Sequence, residues 1–109
     1  MVLYSDRVNN DLDNILYGML EWEKFTLTFE HISNYISDII SVCDKLDQTS
    51  YHANTKYKIH KQFGSKVYKY RRNKNTTWYI IYDYSKQHNL VYINHITSNH
   101  TTTILANPK

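Results

Sequence analysis

Two adjacent arginines, Arg71 and Arg72, are the residues of this sequence best suited to grip a phosphate or a carboxylate. Arginine is rare in the chain, with three copies against ten lysines. Its planar guanidinium can make two parallel bonds to one anion, which a lysine cannot do. Neighbouring residues of a strand point to opposite faces, so we expect at most one of the two arginines to line a given surface.

Histidines and tyrosines nearby in the sequence could complete a site for phosphodiester cleavage. That reaction needs a base for the attacking hydroxyl, an acid for the leaving oxygen and positive charge on the phosphoryl oxygens. Histidine titrates near neutral pH and suits both proton transfers. The alternative for each histidine is a solvated or hydrogen-bonded side chain without a catalytic role. For Tyr79 and Tyr82 the alternative is core packing of at least one ring, because residues three apart on a strand point to opposite faces. The candidate catalytic residues are Arg71, Arg72, His95, His100 and Tyr82.

Charge is divided unevenly along the chain. Residues 1–50 hold nine acids and three bases, whereas residues 51–109 hold ten bases and a single acid, Asp83. Such an acid-free basic stretch indicates a polyanion or an acidic protein as partner, and aromatic rings among the bases could stack on nucleobases. The alternative is that the acidic half complements the basic half within the fold. The candidate binding residues are Lys56, Lys58, Lys61, Lys69, Lys74 and Trp78.

Other classes of site and location are disfavoured by composition. The six histidines are scattered and no glycine-rich phosphate loop is present, so we predict no metal site and no cofactor. A single cysteine, Cys43, excludes an intrachain disulfide and fits a reducing compartment. With no apolar stretch of about 18 residues and a charged N-terminal segment, neither a membrane span nor a secretory signal is expected. We therefore expect one cytoplasmic domain over residues 1–109.

The first half of the chain has helical periodicity. Apolar residues recur at spacings of three and four from Val8 to Met19, and again from Ile32 to Leu46, which predicts helices over 6–20 and 28–46. Residues 21–27 suit either a strand or a connection packed by its aromatic side chains. We expect one shared core of Leu12, Ile15, Leu16, Ile36, Ile39, Ile40 and either Ile80 or Ile81.

The second half changes to strand periodicity. Runs rich in β-branched and aromatic residues, separated by polar turns, predict antiparallel strands over 65–72, 76–84 and 89–97. Residues 2–4 suit a very short strand or a frayed terminus, and residues 48–63 a short helix or turn. The fold class is therefore α+β, with an N-terminal helical hairpin packed on one face of a small antiparallel sheet. The other face is left for water or a ligand.

This order of elements, together with three sequence segments, resembles the RelE/ParE toxin superfamily. The segment from Ser5 to Ile15 is similar to the ParE-type opening, in which an Asp-Leu pair and a following Ile lie on the first helix. Trp78 to Asp83 is similar to the aromatic strand of the family, which ends in tyrosine and an acid. Val91 to Ile96 corresponds to the last strand. The resemblance covers nearly the whole chain.

The resemblance implies the toxin of a type II toxin–antitoxin system, neutralised by a cognate antitoxin protein and directed at DNA gyrase or ribosome-bound mRNA. An enzyme of this kind would be a ribosome-dependent endoribonuclease, whose relatives carry a basic residue or histidine and then a tyrosine near the C-terminus. Here no tyrosine follows His100, and the acidic first helix is closer to the gyrase-directed ParE-like branch. A non-toxic nucleic-acid-binding or protein-interaction module on the same fold is the alternative. No oligomeric state is implied.

Overall fold

The computed structural model describes residues 1–22, 29–72, 74 and 76–99 of the chain. The long helices and strands follow the predicted order, and three short elements lie between them in the middle of the chain. The elements are β1 (Val2–Tyr4), α1 (Asp6–Trp22), α2 (Phe29–Asp44), a 3₁₀ helix (Leu46–Gln48), β2 (Ala53–Asn54), α3 (Lys58–Lys61), β3 (Lys66–Arg71), β4 (Thr77–Ser85) and β5 (Leu90–Ser98). The α+β class and the two long helices are confirmed, as are the three long strands.

The five strands form one mixed sheet in the order β1-β5-β4-β3-β2. The meander of β3, β4 and β5 is antiparallel as predicted, but β1 pairs in parallel with β5. The expectation of a purely antiparallel sheet is therefore wrong. A parallel partner requires a long crossover, which the helical half of the chain supplies before the meander begins. The connection between α1 and α2, expected within 21–27, lies largely outside the described residues.

Both long helices pack on one face of the sheet, which we call the helix face. Val8 of α1 and Ile39 and Cys43 of α2 are fully buried there. They share one apolar cluster with side chains from the two central strands. The strand members of that cluster are Trp78, Ile80, Tyr82, Val91, Ile93 and Ile96.

The opposite face of the sheet, the far face, carries a second and smaller apolar cluster. Val67, Tyr79 and Ile81 are buried there, with Ala53 and Phe63 packed against them. The cover comes from the segment between the 3₁₀ helix and β3, for which the sequence predicted only a short helix or turn. The far face is thus partly covered and partly open.

A β-bulge adjusts the two central strands to these two clusters. Ile81 pairs with His95 but Tyr82 pairs with Ile93, so one residue of β5 is skipped. A bulge shifts the alternation of side chains by one position. As a result Ile93 and Ile96, three residues apart, both reach the core on the helix face.

The start of α1 closes the edge of β5 beyond the three-residue strand β1. The backbone N–H of Ser5 donates to the carbonyl of Ile93 at 2.9 Å. Six residues further on, Oδ2 of Asp11 accepts the backbone N–H of Ile96 at 3.1 Å. The Asp11 carboxylate thus takes the place of a neighbouring strand and accepts a backbone hydrogen bond at this edge of β5.

Gly64 lets the covering segment approach β4 closely. A Cβ at this position would lie 2.7 Å from the backbone oxygen of Tyr82, which is too close for any other residue without a shift. The next residue, Ser65, donates from both its backbone N–H and its hydroxyl to Oδ1 of Asp83. This glycine and this carboxylate hold the segment before β3 against the sheet.

Candidate functional site: a basic cleft on the far face

Arg72, one of the two candidate catalytic arginines, is bound to α2. Its Nη1 forms a hydrogen-bonded ion pair with Asp38 and also donates to the Tyr70 hydroxyl at 3.2 Å. The guanidinium carbon lies 4.3 Å from the centre of the Tyr35 ring. The hydrogen bond to Asp38 raises the pKa of Arg72. These contacts fit a structural bridge between β3 and α2 on the helix face.

Arg71 lies on the other face of the same strand. Arg71 pairs with Thr77 of β4. It lies two residues after Lys69 and four after Val67, so its side chain is on the same face of the strand as theirs. Its side chain is exposed. The two arginines therefore serve opposite surfaces, as the alternation of a strand predicts.

Tyr82 and Trp78, predicted as a catalytic and a ligand-stacking residue, both lie in the core of the helix face. Tyr82 is 1% exposed, and burial raises the pKa of its hydroxyl to about 12. That hydroxyl lies 2.7 Å from Nδ1 of His52. The indole Nε1 of Trp78 donates to the Tyr35 hydroxyl at 2.9 Å. Both positions favour packing over contact with a ligand.

His95 forms the one arrangement among the described candidates that resembles catalytic geometry. Its Nδ1 lies 2.8 Å from Oδ2 of Asp11, and its ring is tilted against Phe63 with centroids 4.2 Å apart. A carboxylate that orients an imidazole is typical of general-base sites. The same Asp11 oxygen also accepts the Ile96 N–H, so this pair equally holds α1 onto β5. His100 lies outside the described residues.

The sheet separates the predicted catalytic set. Arg72 and Tyr82 belong to the helix face, whereas His95 is aligned with Ile81 of the far face. A catalytic set has to converge on one reacting atom. The described candidates do not meet in one cleft.

Two of the predicted lysines, in contrast, lie at one cleft of about 290 Å³ on the far face. Lys56 and Lys69 line it directly, from the connection before α3 and from β3. Lys58 and Lys61 are exposed on α3, and Lys74 is exposed beyond the end of β3, but these three are not part of the cleft lining. We call this pocket, with its lysine rims, the far-face cleft.

Aromatic side chains make up most of the remaining lining. The buried members are His60 and Tyr79, whose rings lie 4.9 Å apart, and Val67. Tyr57 stands edge-on to both rings, at 5.1 Å from His60 and 6.1 Å from Tyr79. Tyr57 is 42% exposed. Two more exposed tyrosines, Tyr51 and Tyr68, complete the walls.

Burial sets the protonation of the groups at the bottom of the cleft. It lowers the pKa of His60, and the neighbouring side chains His95 and Lys69 lower it further. Burial also raises the pKa of Tyr79, with a further contribution from Tyr57. At neutral pH the bottom of the cleft is thus uncharged, and the positive charge stands at its rims.

Sequence reasoning found the lysines of this site but not its tyrosines. Tyr57 alternates with Lys56 and Lys58 inside the acid-free stretch, and this alternation was the available signal. The sequence analysis used this signal for aromatic rings in general but selected no individual tyrosine of the cleft, because tyrosine is abundant throughout the chain, with eleven copies. Asn54, at the cleft rim, carried no distinguishing pattern.

No three His, Cys, Asp or Glu side chains converge on a metal site within the described ranges. In the same part of the chain, no helix combines the length and apolarity needed to cross a membrane. No family model, curated protein or solved structure matches this sequence.

Proposed function

We propose that this protein is the toxin of a type II toxin–antitoxin system and that it inhibits growth by binding a macromolecular target through the far-face cleft. The observation that carries the proposal is an aromatic cleft lined by two lysines of the acid-free stretch, Lys56 and Lys69. The order of elements, with a short first strand, two helices and a meander, is also what the resemblance to RelE/ParE toxins implies.

The mode of action we infer is binding rather than RNA cleavage by the predicted residues. Arg72 and Tyr82 are engaged on the helix face, on the opposite side of the sheet from the cleft. The cleft itself offers positive charge and aromatic surface, which are the means of holding a polyanion. DNA gyrase and ribosome-bound mRNA are the two targets that the resemblance brings into the proposal.

The proposed antitoxin is an acidic protein segment that covers the same surface. The two residues of β2 pair with Lys66 and Val67, so strand pairing within the described sheet does not extend along the outer edge of β3 from Tyr68 to Tyr70. An extended segment could add to that edge as a further strand, with its carboxylates facing the lysine rims.

Growth arrest on expression tests the proposal directly. We expect the parent chain to stop growth when induced without an antitoxin gene, and the double variant Lys56→Glu, Lys69→Glu to lose this effect while remaining folded. Lys86→Glu, an exposed lysine in the β4–β5 turn, is the matched control and should arrest growth like the parent. Supercoiling and translation assays on purified protein then identify the target.

Two outcomes would contradict the proposal. A parent chain that leaves growth unchanged removes the toxin function and favours the non-toxic binding module. If the double variant arrests growth as strongly as the parent, toxicity does not depend on the lysines of the far-face cleft.

A further inference from the structure

The far-face cleft has the composition of a site for one flat aromatic ring. Its volume of about 290 Å³ lies just below the range for small-molecule sites, about 300–1,000 Å³, and suits a small ligand. Tyr51 and Tyr57 present exposed ring surface around buried His60 and Tyr79. Such a lining holds a planar group by stacking and by exclusion of water.

The rims of the cleft have the composition of a phosphate site. Lys56 and Lys69 approach it from two different elements. No acidic side chain of the described residues lines the cleft, and the acids nearest to it in the sequence are Asp47 and Asp83. Asn54, whose Oδ1 accepts from Lys66 Nζ at 2.7 Å, adds an amide group that can donate to a ring carbonyl.

We propose that the far-face cleft binds one nucleotide, with its base against Tyr57 and the neighbouring tyrosines and its phosphate between Lys56 and Lys69. The biological role of this site rests on the proposed function, because both use the same cleft. The nucleotide can come from a single strand or from the free pool, since both present one base beside one phosphate.

The observations favour a nucleotide over an acidic peptide as occupant. Stacking platforms interleaved with cations are the usual means of holding unpaired bases, and they need no sequence-specific contact. A peptide carboxylate would use the same lysines, but aliphatic side chains would gain little from a wall of tyrosine rings. The peptide is therefore the competing outcome of the experiment.

The experiment measures binding of fluorescein-labelled ten-residue oligo(U) and oligo(A) by anisotropy, and of UMP and AMP by calorimetry. Inorganic polyphosphate serves as the polyanion without bases. Tyr57→Ala removes the ring that borders both buried aromatics, and Tyr57→Trp restores a stacking surface. Tyr92→Ala is the matched control, because Tyr92 is 41% exposed but lies outside the cleft lining.

We expect Tyr57→Ala to weaken oligonucleotide binding by about 5- to 150-fold, the range for loss of one base–aromatic stack. Tyr57→Trp and Tyr92→Ala should bind like the parent. Lys69→Ala should lower the salt dependence of binding by about 0.7 in the slope of log K against log salt, as expected for one lost contact to a single strand. If UMP or AMP displaces the labelled oligonucleotide, the cleft binds a free nucleotide as well as a nucleotide within a single strand.

Three results would overturn the inference. The first is polyphosphate binding as tight as oligonucleotide binding, with no effect of Tyr57→Ala. The second is a parent protein that binds an acidic peptide but binds no nucleotide. The third is a loss of oligonucleotide binding in Tyr92→Ala as large as that in Tyr57→Ala. Thermal unfolding of each variant separates loss of binding from loss of fold.

This experiment fails separately from the growth test. A parent that arrests growth but binds no nucleotide keeps the proposed function and loses the nucleotide site. A parent that binds nucleotide through Tyr57 without arresting growth keeps the site and loses the toxin function.

Discussion

The two faces of the sheet use the same strands for different purposes. On the helix face, side chains of β4 and β5 meet α1 and α2 in one continuous apolar cluster, and the polar groups there hydrogen-bond to one another. On the far face, a short segment covers three buried residues and leaves a cleft rimmed by lysines. Burial, more than residue type, therefore decides which aromatic residues of this chain are available to a ligand.

The largest effect is expected from the helix face. Ile39 is fully buried, so Ile39→Ala should lower the free energy of unfolding by about 2–5 kcal/mol, the usual range for a large-to-small change in a core. Ile36, one turn away and only partly buried, is the matched control and should lose clearly less. Chemical denaturation of both variants measures the difference, and equal losses would contradict the assigned helix orientation.

The next effect concerns the attachment of the far-face cover. Gly64→Ala places a Cβ against the Tyr82 backbone and should cost about 1–3 kcal/mol, as overpacking does. Ser65→Ala removes only the hydroxyl bond to Asp83 and keeps the backbone one, so it should cost less. Denaturation midpoints compare the two, and a neutral Gly64→Ala would show that the segment can move away from β4 freely.

Acid should destabilise the protein through its buried imidazoles. Burial lowers the pKa of both His60 and His52, so the unfolded chain binds more protons than the folded chain once the pH falls below about 6.5. The free energy of unfolding should therefore decrease from pH 7.5 to pH 5.5. His60→Gln should flatten this dependence, whereas His88→Gln, at an exposed position, should leave it unchanged.

The smallest effect on stability is expected at the arginine pair. The Arg72–Asp38 ion pair is partly exposed, so Arg72→Lys should cost less than about 1 kcal/mol. If the contacts of Arg72 are structural, this variant should arrest growth as strongly as the parent, whereas Arg71→Lys tests the arginine on the side of the cleft. If a folded Arg72→Lys variant no longer arrests growth, Arg72 has a functional role and not only a structural one.

Much of the fold could be predicted because its long elements have clear periods. The change from helical to strand spacing near residue 64 placed α1, α2 and the three strands of the meander. The core prediction was less accurate, because Ile36 and Ile40 flank the buried stripe that runs through Ile32, Ile39 and Cys43. An apolar residue on the flank of a helix looks the same in sequence as one at the centre of its buried stripe.

The elements that build the candidate site could not be predicted in the same way. β2 has two residues and α3 has four, which is too short for any periodic pattern to be visible. Their positions depend on long-range features, namely the close approach at Gly64 and the pairing of Ala53 with Val67. The lysines could be predicted from charge alone, whereas the cleft between them depends on how this short segment lies on the sheet.

The closure of the β5 edge also determines when the chain can fold during synthesis. Val2 pairs with Val91, and Asp11 bonds to His95 and Ile96, so β1 and α1 cannot complete these contacts until β5 has been synthesised. The core on the helix face lacks β5 until nearly the whole described chain has been made. Contacts this distant in sequence make folding slow and largely post-translational. A nascent chain therefore exposes two amphipathic helices before it can present a finished cleft.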